Sequence, residues 1–134
     1  MRLAADLGGT HARFALDRVD ARVDFVAADH ATLDDAVVAA LASFDADPRA
    51  LHAVFAVAGP VRGTRATFTN LDWVVDADAL AQRFGFASVR VLNDAECAAR
   101  AAAQALPADA TIVQPGERDP CARSWRPSPP SSAA

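Results

Sequence analysis

The stretch AADLGGTHARFAL, Ala4 to Leu16, decides how the chain is read. Two apolar runs flank Gly8-Gly9-Thr10, and an acid, Asp6, stands just before the turn. Arg2 to Leu7 reads as a buried strand. After it, Thr10, Ala12, Phe14 and Leu16 alternate with His11, Arg13, Ala15 and Asp17. That period of two predicts a second strand, which puts Gly8-Gly9 in a hairpin turn.

A backbone that approaches a phosphate wants glycine, because a Cβ would hold the N–H groups away. Gly8 and Gly9 meet that need, and Thr10 adds a hydroxyl. A P-loop would read G-x-x-x-x-G-K-[ST] and open a helix. Here a strand follows and no lysine is near; all 13 basic residues of the chain are arginine. A dinucleotide fingerprint also needs a helix next. Without a lysine, phosphate charge must be met by a metal. Asp6 is the group to hold Mg²⁺, through water, because that ion sheds its waters reluctantly. A plain Gly-Gly hairpin is the competing reading of the turn alone. An ionisable Asp6 between Ala5 and Leu7 is costly to bury without a partner or ion, and that favours the functional reading.

Working outward, Arg22 to Ala28 predicts a third strand. Thr32 with Asp35 has capping chemistry, and Leu33, Val37, Leu41 and Phe44 share one helical face. Asp47-Pro48 is expected to end that helix. Leu51 to Ala58 is an apolar run suited to a central strand, closed by Gly59-Pro60. Val61 to Phe68 reads as an extended excursion. Asp76 to Phe84 predicts a second helix stopped by Gly85, Ser88 to Leu92 a short strand, and Asn93 to Leu106 an alanine-rich helix. A meander followed by strand–helix–strand crossovers implies an α/β fold, with a mixed sheet and helices on its faces.

The 134 residues suit one domain with a real core. A net charge of -4 argues against nucleic-acid and polybasic membrane partners. No apolar stretch approaches the roughly 20 residues of a membrane span. Cys97 and Cys121 form neither a disulfide framework nor a metal spacing, so a reducing, cytoplasmic setting is expected. After about Gly116 the sequence is crowded with Pro, Ser and Arg, and residues 117–134 are expected to be a disordered or aberrant tail.

A second constellation is VRVLNDAECAARAA. An apolar strand ends at Leu92, and Asn93-Asp94 open a helix. Asn93 to Glu96 has capping-box spacing, so a purely structural cap explains the pair when it is taken alone. Polar groups at the carboxyl end of a strand can also form a substrate site. An aspartate there can accept a hydroxyl proton during phosphoryl transfer.

Together, DLGGTHARFAL, then AVAGPVRGTRATFTNLDWVVD with Thr69, Asn70 and Trp73, then VLNDAECAARA resemble the bacterial glucokinase family. The similarity runs from about Arg2 to Gly116. It implies a ribonuclease H-like, actin-like ATPase domain, with residues 1–116 as the small N-terminal domain. It implies that Asp6, Gly8, Gly9 and Thr10 form a phosphate loop for ATP and Mg²⁺. Asp94 would be the general base acting on the 6-hydroxyl of glucose or a related aldohexose, and Asn93 would bond a sugar hydroxyl. His11 stands where the family often has Asn. Asn70 and Trp73 would support the sugar side. The resemblance also implies homodimers among full-length relatives. The family's second glycine-rich loop and its further sugar ligands do not follow here. The change of character near the end is therefore expected to reflect a frameshift or premature end, with an inactive, weakly ATP-binding chain of marginal stability. A non-catalytic sugar-binding or regulatory member of the superfamily, or an interaction fragment, is the alternative.

Overall fold

The computed structural model describes residues 1–17 and 21–104. The expected tail at 117–134 lies outside them. In the segment Met1–Ala95, one compact unit, the element order begins with β1 (Arg2–Leu7), β2 (His11–Leu16) and β3 (Ala21–Val26). Helix α1 (Leu33–Phe44), β4 (His52–Val57), β5 (Val61–Arg62), β6 (Arg65–Thr67) and β7 (Val74–Asp76) follow. Next come α2 (Ala77–Phe84), β8 (Ser88–Asn93) and the start of α3 (Asp94–Gln104).

The main sheet has the order β3-β2-β1-β4-β8. The first three strands form the antiparallel meander, and β1, β4 and β8 run parallel. The mixed sheet is as the sequence predicts. Its register fixes one core face: Leu3, Ala5 and Leu7 of β1 lie beside Leu16, Phe14 and Ala12 of β2 and beside Ala53, Phe55 and Val57 of β4. All nine are buried.

Two helices cover that face. In α1, Thr32 and Asp35 exchange the two bonds of a capping box, and Leu33, Ala36, Val37, Ala40 and Leu41 turn inward. The helix stops before Asp47-Pro48, the expected breaker. Asp45 takes the left-handed conformation (φ 49°), and Pro48–Ala50 form a separate 3-10 turn. In α2, Asp76 caps the amides of Asp78 and Ala79, Leu80 is buried, and Gly85 (φ 73°) ends the helix as predicted. An ion pair between Arg83 of α2 and Asp34 of α1 joins the two helices.

Two expectations need correction. Strand β1 is buried on one side only: Arg2, Ala4 and Asp6 are exposed, so Asp6 carries no burial cost. The excursion after Gly59 is instead β5 and β6, which with β7 make a second, antiparallel sheet of order β5-β6-β7. A two-residue turn at Gly63 (φ 61°) and Thr64 joins β5 to β6.

Candidate active site

Three parallel strands end level with one another. Leu7 pairs with Val57, and Val57 with Asn93. Strand β1 therefore delivers Gly8, Gly9 and Thr10, and β8 delivers Asn93 and Asp94, to the same end of the sheet. Only β4 lies between them, so the two segments start about 10 Å apart, two strand spacings. The sequence reading thus brings its two constellations to one edge.

The glycine turn is a closed hairpin. The Gly8 N–H donates to the His11 carbonyl at 2.9 Å, and the Ala27 N–H to the Thr10 carbonyl at 2.8 Å, which fastens the turn to the end of β3. Neither Gly8 nor Gly9 has a positive φ. A Cβ on Gly8 would make ordinary contact with the His11 carbonyl oxygen at 3.5 Å, and one on Gly9 would meet nothing within 4 Å. The hairpin itself demands glycine at neither position. Space that a Cβ would fill on an exposed turn suits the close approach of a ligand to the backbone.

Asp6 lies on the open face of the sheet, its side chain 58% exposed. Arg13 Nη1 sits 3.5 Å from its Oδ2, and Arg13 Nε donates to Asp24 Oδ2 at 3.1 Å. Among the described residues no group of three or more His, Cys, Asp and Glu side chains gathers to hold a metal. An exposed carboxylate on the strand that leads into the glycine turn fits a magnesium ion that arrives on phosphates and keeps most of its waters.

At the other segment, Asn93 is half-buried and Asp94 exposed. Asn93 Nδ2 donates to the Gly59 carbonyl at 2.8 Å. The Ala95 N–H is shared between Asn93 Oδ1 at 3.0 Å and Asp94 Oδ1 at 2.7 Å. Asn93 does cap, but not in the expected box. Glu96 instead accepts from Arg100 Nε and Nη2, an i,i+4 pair along the helix.

Asn70 and Trp73, expected to support the sugar side, differ in burial. Trp73 is 4% exposed, its Nε1–H donates to the His30 carbonyl at 3.3 Å, and its ring meets Phe68 edge-on. Asn70 is exposed. His30 packs edge-on against Phe25, and His52 Nδ1 lies 2.8 Å from Ser88 Oγ. Sequence reasoning missed Arg13 as the partner of Asp6 and Gly59 as the partner of Asn93. The in-register alternation of β1 and β2 is the signal for the first; the second spans 34 positions and has no local signal.

The family model for glucokinase matches residues 3–125. The chain belongs to the glucokinase family. The glucokinase of Xanthomonas oryzae pv. oryzae (strain MAFF 311018) is 38% identical over 133 residues, covering 95% of this chain and 38% of that protein. The bifunctional protein glk of Burkholderia orbicola (strain AU 1054) is 39% identical over 121 residues, 86% of this chain and 18% of that one. Among solved structures, the glucokinase from an Antarctic psychrotroph superposes with a TM-score of 0.72 at 30% identity, over 89% of this chain and 40% of that chain. This glucokinase-family chain thus spans 38% of the length of the Xanthomonas relative.

Proposed function

We propose that this chain forms the wall of a glucokinase site that carries the phosphate loop and the base, for ATP-dependent transfer of a phosphoryl group to O6 of D-glucose. The observation that carries the reading is the level alignment of Leu7, Val57 and Asn93, which sends the glycine turn and the Asn-Asp corner to one end of the sheet. The meander entering a parallel β1-β4-β8 set supports the finer fold assignment, a ribonuclease H-like domain of the actin-like ATPase kind.

In this reading the amides and hydroxyl of Gly8–Thr10 bind the nucleotide's phosphates. Asp6 holds the accompanying magnesium through water, and that ion supplies charge neutralisation on the phosphate oxygens. Asn93 orients a sugar hydroxyl. Asp94, at a helix N-terminus that favours negative charge, takes the proton of the 6-hydroxyl as O6 bonds to the γ-phosphorus and the bond to the ADP oxygen breaks. In a complete glucokinase the remainder of the chain would supply the opposing wall, and closing it would exclude water.

Titration of the ¹⁵N-labelled chain tests this reading. Mg·ATP is expected to shift the amides of Gly8–Thr10, and glucose those of Asn93–Ala95. Shifts confined to other segments, or none from either ligand at millimolar concentration, overturn it.

A further inference from the structure

The Asn93 side chain ties the end of β8 to the turn that leaves β4, and a backbone bond ties that turn to the end of β1. Asn93 Nδ2 donates to the Gly59 carbonyl at 2.8 Å, and Asn93 Oδ1 accepts from the Ala95 N–H at 3.0 Å. Gly59 lies in the tight turn that leaves β4, where its own N–H donates to the Val57 carbonyl at 2.9 Å. The adjoining Ala58 N–H donates to the carbonyl of Leu7 at 3.0 Å, and Leu7 leads directly into Gly8. A short relay of hydrogen bonds and peptide links therefore runs from the base of the glycine turn, through Ala58-Gly59, to the corner that bears Asp94.

Gly59 is pinned from its other side as well. A Cβ there would lie 2.7 Å from the Thr67 carbonyl oxygen, closer than real Cβ atoms approach. The opposing group is backbone of β6 and cannot swing aside. Glycine is required at 59 by this contact and not by dihedral angle, since its φ is not positive. The second sheet thus acts as a backstop for the turn, and the turn presents one carbonyl to Asn93.

We propose that Gly59 and Asn93 are positioning residues that fix the direction of Asp94. The Thr67 contact sets the Gly59 carbonyl, that carbonyl sets the Asn93 carboxamide, and the carboxamide sets the amide that Asp94 also engages. A carboxamide offers two N–H donors and two acceptor lone pairs. The two bonds seen use one of each, so Asn93 can hold the corner and still bond a sugar hydroxyl. The consequence for catalysis rests on the reading of Asp94 as the base, whereas the tie itself does not.

The test uses the chain without ligand, so that its failure is distinct from a failure of the glucose titration. Asn93→Ser retains an oxygen for the Ala95 amide but cannot reach Gly59, and Asn93→Asp retains the cap but has no donor. Gly59→Ala displaces the carbonyl. In Asn93→Ser and Asn93→Asp the Asp94 side chain, read by three-bond couplings, is expected to pass from one χ1 rotamer to an average. Exchange of the Ala95 amide is expected to rise at least tenfold, while amides at the β2–β3 edge keep their protection. Gly59→Ala, where it folds, should do the same. An unchanged Asp94 rotamer and Ala95 exchange in both Asn93 variants overturns the proposal. Equal loss of protection across the whole sheet also overturns it, because that is the signature of a bond that only holds the fold together.

Discussion

Arg13 stands directly across from Asp6 in the β1–β2 pairing, and its guanidinium reaches the Asp6 carboxylate at 3.5 Å. On its other side Arg13 is in register with Asp24 of β3 and donates to it at 3.1 Å. The three side chains form a row across the open face of the sheet beside the glycine turn, and together they carry one net negative charge. A cation that bound Asp6 would have to compete with Arg13 for the carboxylate.

That competition is measurable. All three side chains are more than half exposed, so the ion pairs are worth less than about 1 kcal/mol each. Arg13→Gln is expected to leave the urea midpoint nearly unchanged. It should lower the Mn²⁺ concentration needed to broaden the amide signals of Asp6 to Gly8, and Asp6→Asn should abolish the broadening. Broadening that is insensitive to Arg13→Gln would show that the arginine does not guard the carboxylate.

The cap of α1 gives a prediction about stability alone. Thr32 accepts from the Asp35 N–H at 3.2 Å, and Asp35 Oδ2 accepts from the Thr32 N–H at 3.0 Å. Thr32→Ala removes one side of the box and is expected to cost about 1 kcal/mol. Chemical denaturation should show it as a lower midpoint with an unchanged slope, and the amides at Gly8–Thr10 and Asn93–Ala95 should not move.

Much of this architecture can be read in the residues, and the failures have physical causes. Thr32, Asp76 and Gly85 announce helix ends because capping chemistry is local. The β1–β2 hairpin is legible because β2 alternates cleanly. Strand β1 misleads because Ala4, small and apolar, occupies the open face and hides the same alternation, so Asp6 looks buried when it is exposed. Strands β5 and β6 are two and three residues long, too short to show a period. The bond from Asn93 to Gly59 spans 34 positions, and no local pattern reports it. At the candidate site, the meeting of the two segments at one end of the sheet follows from the strand order, while the long-range partner of Asn93 does not.

Asp94 provides the sharpest catalytic prediction. In a complete glucokinase, replacing the aspartate aligned with Asp94 by asparagine keeps the size and polarity of the side chain but removes the proton acceptor. Glucose affinity measured by calorimetry is expected to stay within a few-fold of the parent. Turnover should fall about 10²–10⁴-fold, the range for loss of a general base. A parallel loss of affinity and turnover would instead mark the residue as a sugar ligand.

Gly9 separates fold from function most cleanly. Its φ is not positive, and a Cβ there would touch nothing within 4 Å. Gly9→Ala therefore introduces no clash and removes freedom from the unfolded chain, which is expected to raise stability by about 0.4–1 kcal/mol. If the turn cradles phosphate, the same methyl group occupies the space the ligand needs, and Mg·ATP should shift the amides of residues 8–10 only at much higher concentration. Thermal melting and nucleotide titration of one variant thus move in opposite directions. A glycine that served only the hairpin would leave the titration unchanged, and the phosphate-loop assignment would then have to be withdrawn.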